Sequence, residues 1–430
     1  MPSQSEKNQG NGITGAAALS TGCHNLVVFS GKIFYNTSRN GGIDMQAIIN
    51  GRILLPEGEI SEKALLFEEK IIGLADGGAP EGANVIDAKG AYVAPGFVDA
   101  HIHGYRGADV SDADPDGVRR MAGDLLQNGV TSFLPTTMTV RWDMLERVFT
   151  QLRALRAESR QADFPGARIL GCHAEGPFIN PAKKGAQAEE AVLPPDAEKV
   201  LPYADVIRVM TFAPEMPGGE RFLREIREKT EIALSIGHTN ATYDQARAAI
   251  ALGARRVTHF FNAMPPLHHR EPGVIGAALE SGVYTELIAD TFHVHPGLFS
   301  LLHRVKGDRL VLITDAVRAA GMPDGEYTLG GQAFTLRGIQ CRMADGTIAG
   351  SVLKMNDAVR NLRDHAGIPL FAAVRAASLN AAASIGLEKE IGSLEAGKAA
   401  DILLMDEDCR VLRTLVAGRE KYACRPKDRP

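Results

Sequence analysis

Eight short apolar runs alternating with helical patterns constrain this chain more than any other feature of its sequence. The runs cover residues 92–101, 130–136, 168–173, 206–211, 232–238, 256–260, 286–293 and 310–315. Between them, apolar residues recur at helical spacing over 117–128, 142–160, 222–229, 243–252 and 297–306. Gly129 and Gly253 stand where two of these helices must stop. Strand–helix repeats in this number predict an α/β fold, a (β/α)8 barrel of the TIM type. An open doubly wound sheet is the competing arrangement, but it calls for a glycine-rich phosphate loop after an early strand, and none is present.

Both flanks of this middle read differently. Residues 45–94 alternate short strands with turns, and residues 385–425 do the same. The two ends are expected to combine into one small β-sandwich domain beside a barrel spanning 95–384. Residues 1–44 form a leader rich in Gly, Ser, Asn and Gln at its front, without the basic start and apolar core of a secretory signal. Such a composition predicts partial disorder there.

Catalytic groups of α/β barrels sit at the carboxyl ends of the strands. The first run ends in His101 and His103, whose spacing puts both imidazoles on one face of a strand. The third ends in His173 and Glu175, the fifth in His238, the sixth in His259, the seventh in His293 and the eighth in Asp315. One histidine at a strand end is ordinary, but six of eight strands ending in this way is not. Four histidines with two carboxylates suit a divalent ion such as Zn, Fe or Mn, and a donor set without thiolate favours an open catalytic site. Glu175 is placed to bridge two ions. Asp315 is placed to take a proton from water and return it to a leaving group. His173 shares a face with Glu175 and is either a ligand or an orienting residue. The reaction class that follows is metal-assisted hydrolysis of an amide or related bond.

Composition excludes several alternatives. A formal charge of −5 without a basic run argues against nucleic acid or an anionic membrane surface as partner. No apolar run is long enough to span a bilayer. The five cysteines are scattered, so neither a disulfide framework nor a thiolate metal site is expected, and a cytoplasmic location fits.

The motifs Pro95-Gly96-Phe97-Val98-Asp99-Ala100-His101-Ile102-His103-Gly104, His173-Ala174-Glu175-Gly176-Pro177-Phe178 and Gly237-His238-Thr239 are specific. So are Thr258-His259-Phe260-Phe261-Asn262-Ala263-Met264, Arg270-Glu271-Pro272-Gly273, His293-Val294-His295-Pro296 and Thr314-Asp315-Ala316. With them the chain resembles the amidohydrolase superfamily, in particular its amino-sugar-phosphate deacetylases, over residues 48–416. The resemblance implies removal of the acetyl group from N-acetylglucosamine 6-phosphate. It implies Glu175, His238 and His259 as ligands of a principal ion. His101, His103 and Asp315, sharing Glu175, would hold a second, so one or two ions per chain are expected. Asp315 matches the acid/base of the family. Asn262, Ala263, Arg270 and His293 match contacts to the sugar phosphate, with Arg270 reaching across a homodimer.

Three departures bear on the sugar. Ala174 stands where a larger apolar residue is common, Thr291 where glycine is usual, and Gln187 at a substrate contact that is histidine in some relatives. A related hexosamine phosphate such as the galacto epimer is therefore the alternative substrate. A cyclic-amide hydrolase is another; many bridge their metals through a modified lysine, and no lysine stands at these strand ends. A non-catalytic scaffold would lack ligands, and none is missing. His268 and His269 beside Arg270 either line the phosphate pocket or are exposed. His24, His303 and His365 are expected to be structural or at the surface.

Overall fold

Pro95 and Gly96 divide the first expected strand in two. Tyr92–Pro95 pairs with Ile402–Met405, whereas Phe97–Ile102 pairs with Val130–Thr137. The handover is visible in consecutive backbone bonds: Gly96 N–H donates to the Asp401 carbonyl and Phe97 N–H to that of Gly129, at 2.9 and 3.0 Å. Proline has no N–H to donate, so the ladder is free to change partner there. Only glycine fits at the crossing, because a Cβ on Gly96 would lie 2.1 Å from Thr131 Oγ1.

The computed structural model describes residues 44–425 and, upstream, the strands Leu19–Thr21, His24–Phe29 and Lys32–Tyr35, which form an antiparallel sheet. The front of the leader, where disorder is expected, lies outside the described residues, as does the side chain of His24.

The barrel strands are β1 (Phe97–Ile102), β2 (Val130–Thr137), β3 (Cys172–Glu175), β4 (Ile207–Phe212), β5 (Ala233–Ile236), β6 (Arg256–Val257), β7 (Tyr284–Ile288) and β8 (Leu310–Ile313). Each is parallel to the next, in chain order. The ring nearly closes where β8 meets β1. There Asp315 N–H donates to the His101 carbonyl at 2.9 Å, and Thr314 Oγ1 donates to the buried Asp99 carboxylate at 2.6 Å. Burial pushes the Asp99 pKa up to about 7, against the opposing effect of its bonds from Thr314. Helices such as Trp142–Glu158 and Tyr243–Leu252 pack outside the ring, the latter opened by a Thr242–Gln245 capping box and closed by Gly253.

Both chain ends build the second unit. A six-stranded sheet runs in the order Arg419–Ala423, Val411–Val416, Ile402–Met405, Tyr92–Pro95, Arg52–Leu55, Gly58–Ile60. A four-stranded sheet runs Ile71–Ala75, Ala64–Phe67, Gln46–Ile49, Asn84–Asp87. Ile48, Leu65 and Phe67 of the smaller sheet share a buried core with Ile53, Val93, Leu404 and Leu415 of the larger. A half-buried Arg168–Asp401 ion pair joins the barrel floor to this unit.

One element was not expected. Between β8 and the helix Met355–Ala366, the strands Gly325–Leu329, Gln332–Arg337 and Gln340–Arg342 form an antiparallel sheet. Its Phe334, Leu336 and Cys341 pack on Met138, Ala186 and Val317 from the loops after β2, β3 and β8. The sheet therefore covers one side of the barrel mouth.

Gly96→Ala tests the crossing. Thr131 is a short, buried, β-branched side chain with little room to yield, so overpacking should cost about 1–3 kcal/mol. Thermal unfolding should show this loss, and Thr131→Ala in the same chain should recover part of it. An unchanged Gly96→Ala melting temperature would show that the crossing tolerates a side chain.

Candidate metal centre

Three of the expected site residues stand just past the strand that carries them. The runs carrying His238, His259 and Asp315 were expected to be continuous strand. In the structure β5 stops at Ile236, β6 at Val257 and β8 at Ile313. The physical reason is backbone conformation: φ is +48° at His238, +27° at His259 and +50° at Asp315. Non-glycine residues pay about 1–2 kcal/mol to adopt the left-handed region and cannot continue a strand in it. Strain of this kind concentrates at functional sites, where surrounding contacts hold it. Here it turns three side chains off the strand ends into the mouth.

Six expected ligands converge. Glu175 lies at the centre: its Oε1 is 3.3 Å from His101 Nε2, 3.3 Å from His238 Nε2 and 3.1 Å from His259 Nε2. Its Oε2 is 3.3 Å from His103 Nε2, and Asp315 Oδ1 lies 3.2 Å from that same nitrogen. All six side chains are buried. Two donor triads result, His101–His103–Glu175 and Glu175–His238–His259, each with ligand atoms within 4.8 Å of one another.

The tautomers show that these residues fit a cation. His101 Nδ1 meets the Glu286 carboxylate at 2.9 Å, His103 Nδ1 the Thr136 carbonyl at 3.2 Å, and His238 Nδ1 the Lys183 carbonyl at 2.9 Å. These oxygens only accept, so each Nδ1 carries the hydrogen and each Nε2 presents a lone pair. Those lone pairs face one another: His238 Nε2 is 3.0 Å from His259 Nε2, and His101 Nε2 is 3.3 Å from His103 Nε2. Such an arrangement is stable only with a positive charge between the nitrogens. Imidazole nitrogen and carboxylate oxygen are donors for Zn, Fe or Mn.

The electrostatics agree. Burial opposes a charged imidazole at His103, yet the bonds to Asp315 and Glu175 overcome it and push the pKa up to about 9. Burial opposes charge at His101 also, and Glu175, Glu286 and Asp315 again raise its pKa. Glu175 is held well below the usual carboxylate range, because the charges of His101 and His238 outweigh its burial.

Gln187 is buried against this cluster. Its Nε2 donates to Glu175 Oε2 at 2.5 Å, and its Oε1 accepts from Thr139 N–H at 2.6 Å. His173 is not among the six. Its Nε2 bonds Thr211 Oγ1 at 2.8 Å, and its ring stands edge-on to that of His101 at 4.5 Å. It therefore lies beneath the ligands. His293 sits on the loop after β7, with Nδ1 held by Asp290 Oδ2 at 2.6 Å. Asn262 folds back, its Nδ2 donating to the carbonyls of His259 and Phe260, and the Ala263 carbonyl accepts from Thr239 N–H. Arg270 is exposed, together with Leu267, His268 and His269, and bonds His269 Nε2 at 2.7 Å. The His365 ring packs on Phe299, and His303 is half-buried on its helix. Sequence reasoning passed over Glu286, although an acid in the middle of the apolar strand Tyr284–Ile288 is the kind of signal that marks a functional carboxylate.

Residues 92–421 match the model of the Amidohydrolase family. The chain is 39% identical over 340 residues to N-acetylglucosamine-6-phosphate deacetylase of Bacillus subtilis strain 168, covering 78% of this chain and 85% of the relative. It is 36% identical over 379 residues to N-acetylgalactosamine-6-phosphate deacetylase of Escherichia coli O157:H7, covering 86% and 97%. A solved structure of a mutant N-acetyl-D-glucosamine-6-phosphate deacetylase from Mycobacterium smegmatis, in complex with N-acetyl-D-glucosamine-6-phosphate, superposes with a TM-score of 0.81 at 32% identity. That likeness covers 88% of this chain and 100% of the other.

The raised imidazole pKa values set a test of the centre. His103 keeps its added proton up to about pH 9 in the metal-free protein. A cation taken up at neutral pH must displace that proton, so binding releases protons and strengthens as pH rises toward 9. Zn²⁺ titration calorimetry in buffers of different ionisation enthalpy should give heats that scale with the buffer. Buffer-independent heats at pH 7 would show that no proton leaves the site.

Proposed function

The chain belongs to the amidohydrolase family, and on that premise we propose that it hydrolyses N-acetylglucosamine 6-phosphate to glucosamine 6-phosphate and acetate. The observation that carries this reading is the convergence of four imidazoles, Glu175 and Asp315 at the barrel mouth, in a chain similar over most of its length to amino-sugar-phosphate deacetylases. The gluco epimer is favoured because both the Bacillus relative and the Mycobacterium complex carry that name. The galacto relative makes its epimer the comparison substrate.

Glu175, His238 and His259 would hold one divalent ion, and His101, His103 and Asp315 a second, with Glu175 shared. Bound there, a divalent cation such as Zn, Fe or Mn supplies Lewis-acid polarisation of the amide carbonyl and lowers the pKa of the attacking water. Asp315 accepts a proton from that water. The charges of His101 and His103 outweigh its burial and keep its carboxyl low, hence ionised and ready to accept. As the C–N bond breaks, Asp315 passes the proton to the leaving nitrogen, so the amine departs neutral with acetic acid as the other product, which gives up its remaining proton to water and becomes acetate. His293, its ring fixed by Asp290, is assigned to the substrate. Gln187 is assigned there too, at the point where it holds Glu175.

Asn262 and Ala263 belong to the turn that follows His259, and with Arg270 they are assigned to the phosphate. Arg270 is exposed on its own chain, so we place it in the neighbouring site of a homodimer. Residues 45–94 and 385–425 are taken as the sandwich domain and 95–384 as the catalytic one. Among the described residues no helix is long and apolar enough to cross a membrane. Cys172, Cys341, Cys409 and Cys424 are free thiols, which supports a cytoplasmic setting.

A panel of N-acetylated hexosamines, with and without 6-phosphate and with metal controlled, tests the function by acetate release. Asp315→Asn should lower kcat by about 10²–10⁴-fold, measured alongside metal content. Near-normal turnover would move the proton to another residue. Arg270→Ala removes a charge-assisted bond worth roughly 1.5–3 kcal/mol. It should cut kcat/KM about 10- to 150-fold on the phosphorylated sugar and leave the unphosphorylated one nearly unchanged. Equal losses on both would remove Arg270 from the phosphate site.

A further inference from the structure

Glu286 lies beneath the metal centre on β7, with no solvent exposure. Its Oε2 accepts from His101 Nδ1 at 2.9 Å and from the backbone N–H of His259 at 3.0 Å. Its Oε1 accepts from Arg256 Nη2 at 2.5 Å. Arg256, on β6, is itself fully buried and also donates to Ser384 Oγ. His101 belongs to the donor triad with His103 and Glu175, and also groups with His173 and Glu286 itself, whereas His259 belongs to the triad with Glu175 and His238.

We propose that Glu286, balanced by Arg256, is a positioning residue for both halves of the metal centre. This inference rests on the metal-site reading above. The carboxylate does two different things. At His101 it keeps the hydrogen on Nδ1, so that the Nε2 lone pair faces the centre. At His259 it captures the N–H of a residue with φ of +27°, holding a turn that the backbone alone disfavours.

The pair is a costly choice as stability alone. A buried ion pair contributes little net and is replaceable by apolar side chains of similar volume. Its placement is what a metal centre needs: a fixed acceptor reached by three donors, with the balancing guanidinium on one carboxylate oxygen and the ligand residues His101 and His259 on the other.

The three donors make the charge indispensable. Glu286→Gln must present its NH2 to one of them. Facing Arg256 it would oppose a cation, so the amide turns toward His101 and His259. His101 relieves the conflict by moving its proton to Nε2, which removes a metal-donor lone pair. Loss of such a supporting partner typically weakens metal binding about 10–100-fold.

The test compares wild type and E286Q, first stripped of metal and then titrated with Zn²⁺ against a chelator, with folding followed by circular dichroism. E286Q should bind Zn²⁺ about 10–100-fold more weakly, and ¹⁵N-histidine spectra should show the His101 proton moved from Nδ1 to Nε2. A folded E286Q protein with wild-type affinity overturns the proposal. So does a zinc-loaded wild type whose His101 Nδ1 carries no proton, a measurement that needs no variant. If E286Q does not fold, R256M/E286M removes the charges together and should fold with the same loss of affinity; wild-type affinity there also overturns the proposal. Failure of the wild type to take up any divalent ion would instead defeat the metal-site reading itself.

Discussion

The barrel mouth depends on one constraint: donor atoms that repel one another must be held within a few ångströms. His238 Nε2 and His259 Nε2 stand 3.0 Å apart, and His101 Nε2 and His103 Nε2 3.3 Å. Glu175, itself an acceptor, lies among them and adds to the repulsion that a cation would relieve. The rings are held by anchors behind them: Glu286 for His101, the Thr136 carbonyl for His103 and the Lys183 carbonyl for His238. Each anchor belongs to a different part of the barrel, so the site is only as well ordered as the closed ring that carries it. Closure between β8 and β1 is part of the same machinery, because the bond that links the strands joins Asp315 N–H to the His101 carbonyl, two ligand residues.

Backbone strain is distributed with the same logic. His238, His259 and Asp315 all adopt left-handed conformations, and so do Ala263 and Thr291 on the adjoining loops. An extended residue would point its side chain to one face or the other of the sheet. A left-handed one turns the chain sharply and redirects the side chain over the mouth. The offsetting contacts are visible: Glu286 receives the His259 N–H, the His238 carbonyl accepts from Asn180 N–H, and the Asp315 carbonyl accepts from Ser351 N–H. Thr291, where the family resemblance leads one to expect glycine, keeps the positive φ that glycine would adopt freely.

The additions to the barrel serve it from two ends. Beneath it, the sandwich built from both chain ends fastens the floor through Gly96, Asp401 and the Arg168–Asp401 pair. Above it, the unexpected three-stranded sheet packs on the loops after β2, β3 and β8, where Gln187 and Asp315 originate. That cover is fixed to the loops by apolar packing, while the rings are set from below.

Much of this was readable from local pattern. Alternating apolar runs and helical spacing, punctuated by Gly129 and Gly253, determined the barrel. The carboxyl ends of those runs offered eight residues, and the family resemblance singled out the six that the fold brings together. Both signals are local, because a strand's period and a helix's caps depend on near neighbours. What only the tertiary structure decided are contacts between residues far apart in sequence. The pairing of Glu286 with His101 spans 185 positions, and the covering sheet has an apolar face that gains meaning only against Met138 and Ala186. The split at Gly96 is likewise invisible in a run that reads as one strand, since the atoms that forbid a side chain there belong to Thr131 on the next strand. Sequence by itself determined which residues stand at the strand ends. Ring closure decided which atoms of those residues face one another, because their direction is set by hydrogen bonds from strands that only the closed barrel makes neighbours.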